Sequence, residues 1–261
     1  MSESTAASSS KEDEQKVYEN LLALRVEPDG TESYGDKADQ FIEWYGPEGA
    51  TVVTLLHGGC FRQDIGLDFT RPAAFALAEA GFRVALPEYR RLAGSPELTF
   101  EDARLLARHP LIGSSTWIGH CSGATMALDV LFSDEYELTH VVALAPLFDL
   151  ARAVREAASE NVGDISDFMG GMPVDQPERY AQFDPMRRWG ELGEAQFAAR
   201  GLRLDIIHGT ADATVPVVRS KDLNTEPFNV AIVPGANHND VIRPGDDAWI
   251  FLRGALGDTS A

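Results

Sequence analysis

The chain has 261 residues, 44% of them hydrophobic, and a formal net charge of −19 at neutral pH. This length suits one domain with a full core, and the charge excludes ready binding to nucleic acid or to an anionic membrane. The sequence has no long apolar run and no leader pattern, which predicts a cytoplasmic protein. Two cysteines make neither a disulfide framework nor a four-ligand zinc site, and no motif implies a metal or a cofactor.

Strand and helix patterns alternate along most of the chain. Residues 1–16 are acidic and rich in serine, which predicts a disordered tail before a single domain over residues 17–261. The predicted strands cover residues 37–45, 51–56, 82–86, 115–119, 140–145, 202–207 and 229–233. The predicted helices cover residues 70–80, 100–108, 122–132 and 246–256. This alternation indicates an α/β fold with a mostly parallel sheet and helices on both faces.

One stretch interrupts this alternation. Residues 147–200 carry no clear strand and fall between two predicted sheet strands, where ligand-binding loops usually lie. We interpret them as a short helical cap whose Phe168, Met169 and Met172 line a substrate pocket. Two ordinary peripheral helices are the alternative interpretation.

A candidate nucleophile follows the strand at 115–119. Gly119-His120-Cys121-Ser122-Gly123 has the strand–turn–helix pattern of a nucleophile elbow, in which the residues two before and two after the nucleophile must be small. Cys121 satisfies this spacing, whereas Ser122 would put the large His120 at a position that requires a small residue. A buried free cysteine on a glycine-rich turn is the alternative interpretation.

A cysteine nucleophile needs a base, an orienting acid and an oxyanion hole. The predicted base is His238, after the last strand, and the predicted acid is Asp212, after the strand before it. Asp149 is a second candidate acid, but the Val215-Pro216 context favours Asp212. Backbone N–H groups of a glycine-rich loop and of the elbow helix would hold the oxyanion: Gly58, Gly59, Cys60 and Ser122.

Five motifs in this order resemble the α/β-hydrolase superfamily over residues 38–257. They are His57-Gly58-Gly59-Cys60-Phe61, Pro87-Glu88-Tyr89-Arg90, the elbow around Cys121, the Asp212 loop with Val215-Pro216, and Asn237-His238. They are most similar to kynurenine formamidases and hormone-sensitive-lipase-like esterases. The resemblance implies an α/β-hydrolase fold, a catalytic triad and a pocket that includes Phe61 and His120.

The chain departs from that resemblance at the nucleophile, which is usually serine, although dienelactone hydrolases use cysteine in this fold. A cysteine would form a thioester acyl-enzyme from a small ester, lactone or N-acyl amide. Because thioesters react readily with other nucleophiles, an acyltransferase or cyclase of specialised metabolism is the alternative. A non-catalytic binding module is a further one. A small-molecule substrate is the expected partner, and the oligomeric state stays open, a homodimer included.

The second cysteine, Cys60, lies in the predicted oxyanion loop and so near Cys121. It is interpreted either as a small hydrophobic residue or as a redox partner of the nucleophile. A reducing cytosol favours the first interpretation.

Overall fold

An eight-stranded sheet runs through the centre of the protein. The computed structural model describes residues 2–156, 162–225 and 227–257. The strands are β1 Gly30–Ser33, β2 Phe41–Tyr45, β3 Val52–Leu56, β4 Arg83–Pro87, β5 Thr116–His120, β6 His140–Leu144, β7 Arg203–Gly209 and β8 Asn229–Val233. Their order in the sheet is β1-β2-β4-β3-β5-β6-β7-β8.

Only the edge that contains β1 and β2 is antiparallel. β1 pairs with β2 and β2 with β4 in antiparallel register, whereas every pairing from β4 to β8 is parallel. The central strands are apolar and buried because helices cover both faces of a parallel sheet. Their carboxyl ends therefore meet at one edge, and the loops that follow β3, β5, β7 and β8 come together there.

The helices divide between two hydrophobic clusters, one on each face of the sheet. They are α1 Ser2–Ala23, α2 Arg71–Glu79, α3 Pro96–Ala107, α4 Ser122–Phe132, α5 Leu150–Arg155, α6 Val162–Met169, α7 Pro177–Phe183, α8 Pro185–Ala199, α9 Val218–Lys221 and α10 Asp247–Ala255. One cluster packs α3, α4 and the helices α5 to α8 against the sheet, and the other packs α1, α2 and α10. Strand side chains alternate between them: Trp117 belongs to the first cluster and Ile118 to the second.

The predicted α/β class with a mostly parallel sheet is confirmed. All seven predicted strands are present, with bounds that differ by a few residues. β1 was not predicted because Gly-Thr-Glu-Ser lacks apolar alternation, and all four of its residues are exposed at the sheet edge. The stretch predicted to form a cap contains α5 to α8 between β6 and β7, with residues 157–161 outside the described part of the chain.

The N-terminal segment differs from the predicted disordered tail. Helix α1 covers Ser2–Ala23, and residue 1 lies outside the described residues. Glu14, Val17 and Leu21 are buried, with 4%, 8% and 2% of their surfaces exposed. Their spacing of three and four residues puts them on one helix face, which packs on the protein although the segment is polar overall.

No helix among the described residues combines the length and the apolar character needed to cross a membrane.

Candidate active site

Cys121 occupies the sharp turn between β5 and α4. Its backbone has φ 53° and ψ −115°, a conformation that non-glycine residues rarely adopt. A Cβ on Gly119 would lie 2.4 Å from Ala124 Cα, and one on Gly123 would lie 2.4 Å from the Leu56 carbonyl oxygen. These contacts are the steric reason why both flanking positions are glycine. The turn holds Cys121 above the carboxyl end of the sheet, at the N-terminus of α4.

The structure brings His238 between Asp212 and Cys121. His238 Nδ1–H donates to Asp212 Oδ2 at 2.8 Å, and His238 lies near enough to Cys121 for each side chain to shift the pKa of the other. Asp212 Oδ1 accepts from the backbone N–H groups of Thr214 and Val215 at 2.9 and 2.6 Å. This geometry fixes the imidazole with Nδ1 toward the Asp212 carboxylate.

The three side chains favour a charged pair at Cys121 and His238. Burial raises the pKa of Asp212, but His238 and His208 outweigh it and hold that pKa well below its usual range. Burial likewise opposes the charged form of His238, but Asp212 and Cys121 raise its pKa. A hydrogen bond from Cys60 and the charge of His238 lower the pKa of Cys121, although the thiol is buried. Both shifts therefore act in the direction of a thiolate beside an imidazolium.

Asp149, the second candidate acid, does not bond His238. Its Oδ1 accepts from the Arg152 backbone N–H at 2.7 Å and so caps the N-terminus of α5.

The glycine-rich loop after β3 lies directly against the elbow. A Cβ on Gly58 would be 2.9 Å from Cys121 Cβ, and one on Gly59 would be 2.7 Å from Ile65 Cγ2, so only glycine allows this approach. Cys60 Sγ lies 3.8 Å from Cys121 Sγ. Among the described residues, the backbone N–H groups of Cys60 and Ser122 donate to no other group of the chain. They remain available to a ligand oxygen.

A buried network of an ion pair and hydrogen bonds supports the glycine-rich loop after β3. His57 Nε2 lies 3.1 Å from Glu88 Oε1, and Arg91 also contacts this oxygen. Glu88 Oε2 accepts from Leu67 N–H at 3.1 Å, and the Tyr89 hydroxyl donates to the His57 carbonyl at 2.7 Å. Burial opposes ionisation, but His57 and Arg91 lower the pKa of Glu88 to about 2.

A cavity of about 270 Å³ opens beside Cys121. Its lining comes from α1, α6, the segment between β3 and α2, and the elbow, acid and histidine loops: Lys11, Glu14, Gln15, Tyr18, Gly59, Cys60, Arg62, Ile65, Phe69, His120, Cys121, Asp164, Thr214, His238 and Asn239. Among the described residues, no group of three His, Cys, Asp or Glu side chains is arranged to hold a metal ion.

Of the five predicted pocket residues, only His120 lines this cavity. Phe61 and Phe168 instead stack on each other, with ring centroids 3.9 Å apart, and are buried in the core. Met169 is fully buried, and Met172 is 38% exposed in a separate surface depression near α6. These four positions are a correction to the predicted pocket: the two aromatic rings bury each other rather than face a substrate.

Glu14 of α1 is a functional-site residue that the sequence did not reveal. Its Oε1 accepts from Ala213 N–H at 2.6 Å and from His238 N–H at 3.2 Å, and its Oε2 accepts from the Thr214 hydroxyl at 2.7 Å. Its carbonyl oxygen accepts from Asn239 Nδ2 at 3.1 Å. Glu14 thus joins the acid loop to the histidine loop. The spacing of Glu14, Val17 and Leu21 is the only signal that could have indicated this.

Two further histidines, His208 and His120, contact Asp212 and His238 respectively. His208 Nε2 lies 3.0 Å from both Asp212 Oδ2 and the Val215 carbonyl oxygen, so this nitrogen carries a proton and donates to them. His120 Nε2 donates to the His238 carbonyl oxygen at 3.0 Å. Burial, reinforced by His238, lowers the pKa of His120 to about 4, so His120 is neutral and supports His238 rather than exchanging protons.

The overall fold is similar to that of solved esterase structures. Esterase B from Lactobacillus rhamnosis superposes with a TM-score of 0.70 at 16% identity, over 97% of this chain and 92% of that one. Thermogutta terrifontis esterase 2, solved in a form phosphonylated by sarin, gives a TM-score of 0.63 at 16% identity, over 91% and 100% of the two chains. The chain has the α/β-hydrolase fold. Neither the family models nor the curated proteins contain a match to its sequence.

Proposed function

We propose that the protein is a hydrolase that cleaves a small ester, lactone or N-acyl amide through a thioester on Cys121. One observation carries this proposal: Cys121 occupies a strained turn on the carboxyl edge of the sheet, beside His238, which Asp212 orients. A structural cysteine needs neither a strained backbone nor a buried charge relay.

The reaction begins when the Cys121 thiolate attacks the substrate carbonyl carbon. The N–H groups of Cys60 and Ser122 hold the oxyanion, and the positive end of α4 adds to their field. The His238 imidazolium gives its proton to the leaving alcohol or amine as the thioester forms. His238 then removes a proton from water, which attacks the thioester and frees Cys121.

The cavity and the structural neighbours support this substrate class. A cavity of about 270 Å³ suits a small acyl group rather than a long chain. The neighbours are named as esterases, and one of them was solved in a phosphonylated form. The resemblance to kynurenine formamidases adds an N-formyl or other N-acyl amide to the candidate substrates.

The cysteine itself favours a second candidate function. A thioester is more reactive toward amines and carbanions than the oxygen ester that a serine would form. An acyltransferase or cyclase would use the same first step and replace water with another acceptor. The two functions therefore differ only in how the thioester is resolved.

The test follows p-nitrophenyl acetate cleavage and the intact protein mass together. Cys121→Ala is the control, and Cys121→Ser is the matched variant that replaces the thiol nucleophile with a hydroxyl. We expect steady release of nitrophenolate that falls about 10³-fold or more in Cys121→Ala. We also expect a transient gain of one acetyl mass in the unmodified protein.

The outcomes separate the candidate functions. A single burst with a persistent acetyl adduct would favour acyl transfer. If neither turnover nor adduct occurs and Cys121 is alkylated no faster than an ordinary thiol, the catalytic proposal is wrong. The protein would then be a binding module.

A further inference from the structure

The two cysteines of the chain form a buried pair inside the cavity. Cys60 Sγ and Cys121 Sγ are 3.8 Å apart, although 61 residues separate them. Cys121 is 1% exposed and Cys60 is 7% exposed, and both line the cavity. The sequence contains no other cysteine, so any disulfide within one molecule joins these two residues.

The two thiols are chemically unequal. The hydrogen bond to Cys60 and the charge of His238 lower the pKa of Cys121. The same hydrogen bond, together with burial, raises the pKa of Cys60, so Cys60 keeps its proton. One reactive thiolate beside one protonated thiol is the arrangement in which oxidation of the first is followed by attack of the second.

The cavity admits an oxidant that is only slightly larger than water. Hydrogen peroxide is small and polar, and a volume of about 270 Å³ beside Cys121 is ample for it. The imidazolium of His238, whose charge acts on Cys121, supplies the proton that a departing hydroxide requires. The same groups that would activate an ester carbonyl therefore also favour peroxide cleavage.

A disulfide needs the sulfurs to approach from 3.8 Å to about 2.05 Å. The movement falls on the loop after β3, since Cys121 is held between β5 and α4. Cys60 and Phe61 follow two glycines and have φ values of 51° and 63°, so this loop is irregular and not held in a strand ladder. Displacement of this loop would move the Cys60 N–H away from its present position. The disulfide would at the same time make the Cys121 sulfur unavailable as a nucleophile.

We propose that Cys60 and Cys121 are a peroxide-reactive thiol pair that closes reversibly to an intramolecular disulfide. The Cys121 thiolate attacks one peroxide oxygen, the O–O bond breaks, and the hydroxide takes the His238 proton to leave as water. The product is Cys121 sulfenic acid. Cys60 attacks its sulfur, the S–O bond breaks, and the Cys60 proton leaves in a second water. The two sulfurs lose two electrons to peroxide, and a thiol reductant restores them.

The proposal uses the Cys121 thiolate of the proposed function but requires no ester substrate. The test therefore reads mass rather than turnover. The protein is treated with hydrogen peroxide, alkylated with iodoacetamide under denaturing conditions, and measured as the intact mass. We expect the loss of two hydrogens, no alkylation and a monomeric mass. Treatment with a thiol reductant should then return two alkylatable cysteines.

Two variants separate the disulfide from other oxidation. In Cys60→Ala, peroxide should add one, two or three oxygens to Cys121, and the higher adducts should resist reductant. In Cys121→Ala, Cys60 should stay unmodified and fully alkylatable.

Irreversible oxygen adducts on Cys121 of the unmodified protein, with Cys60 still alkylatable, would overturn the pairing. The same holds if only disulfide-linked dimers form. A protein that forms the disulfide but cleaves no ester would retain this inference and lose the proposed hydrolase.

Discussion

The state of Cys121 depends on the proton of a second thiol. The hydrogen bond from Cys60 is the largest cause of the lowered pKa of Cys121. The charge of His238 is the next cause that stabilises the thiolate. Both act on a buried thiol, where a hydrogen bond is electrostatically stronger than in water. The nucleophile is therefore sensitive to changes at Cys60 that leave His238 and Asp212 untouched.

We predict that Cys60→Ala shifts the pH midpoint of Cys121 alkylation upward, because the variant removes the first stabiliser of the thiolate. Iodoacetamide labelling rates, measured across pH on the folded protein, give the midpoint. Cys121→Ala confirms which residue is labelled. An unchanged midpoint would mean that the thiol–thiol hydrogen bond does not stabilise the thiolate.

Asp212→Asn should lower kcat for p-nitrophenyl acetate by about 10²- to 10⁴-fold, because an amide does not stabilise the His238 imidazolium. KM should change little, since Asp212 does not line the cavity. His208 also donates to Asp212, so a thermal melt of the variant is needed to exclude unfolding. A normal melt with undiminished kcat would remove Asp212 from the relay.

Glu88 provides a pH-dependent stability test outside the reacting groups. Its folded pKa of about 2 is below the usual value of 4.5, so its contribution is present above pH 4.5 and lost as pH falls toward 2. This difference corresponds to about 3 kcal/mol for a side chain that is 8% exposed. Glu88→Gln should therefore be destabilised by about that amount at pH 7. Urea titrations give the free energy of unfolding of both proteins, and the difference between them should narrow below pH 4.5. A difference that stays constant with pH would show that packing, not the charge of Glu88, determines the loss.

At the scale of elements, α1 contributes to the site as directly as the sheet loops do. Four of its residues, Lys11, Glu14, Gln15 and Tyr18, line the cavity. Glu14 also bonds the loops that hold Asp212 and His238. Helix α1 therefore sets the spacing of acid and base from outside the parallel sheet.

Glu14→Ala should lower kcat by about 10- to 100-fold, because misplacement of His238 by a fraction of an ångström weakens the relay. Glu14→Gln should retain most of the activity, since its amide keeps one oxygen acceptor and offers a donor to the Thr214 hydroxyl. Glu12→Ala, on an exposed position of the same helix, is the matched control. Equal losses in Glu14→Ala and Glu12→Ala would mean that only the helix, and not this carboxylate, matters.

At the scale of the whole molecule, charge determines how the protein responds to salt. The net charge of −19 produces self-repulsion that opposes the compact state. Raising sodium chloride from about 10 mM to about 150 mM shortens the Debye length from about 30 Å to about 8 Å. The melting temperature should therefore rise, and an equal osmolarity of sucrose is the control for a general solute effect. A fall would show that ion pairs such as Arg71–Glu43 outweigh the repulsion.

The sequence predicted the strands, the helices and the residues that follow them, because these depend on local patterns. It did not predict side-chain contacts between distant parts of the chain. Cys121, Asp212 and His238 each follow a strand, so the parallel topology alone brings their loops to one edge. Phe61 and Phe168 were predicted to line the pocket because the sequence gives no sign that the two rings stack on each other, one in the loop after β3 and the other in α6. The hydrogen bonds of Glu14 could not be predicted either, because a glutamate in a polar helix is normally expected to be exposed to solvent.

The Glu14 contacts also constrain the order in which the protein acquires its function. Its partners Ala213 and His238 lie 199 and 224 residues further along the chain. During synthesis α1 leaves the ribosome before β7 and β8, yet it can lock in place only after these strands and their loops have been made. Bringing α1 to these loops closes a long stretch of chain, which costs conformational entropy. Contacts that form late in folding must offset this cost. The sheet can therefore form before the Asp212 and His238 loops are joined, and docking of α1 through Glu14 would join them.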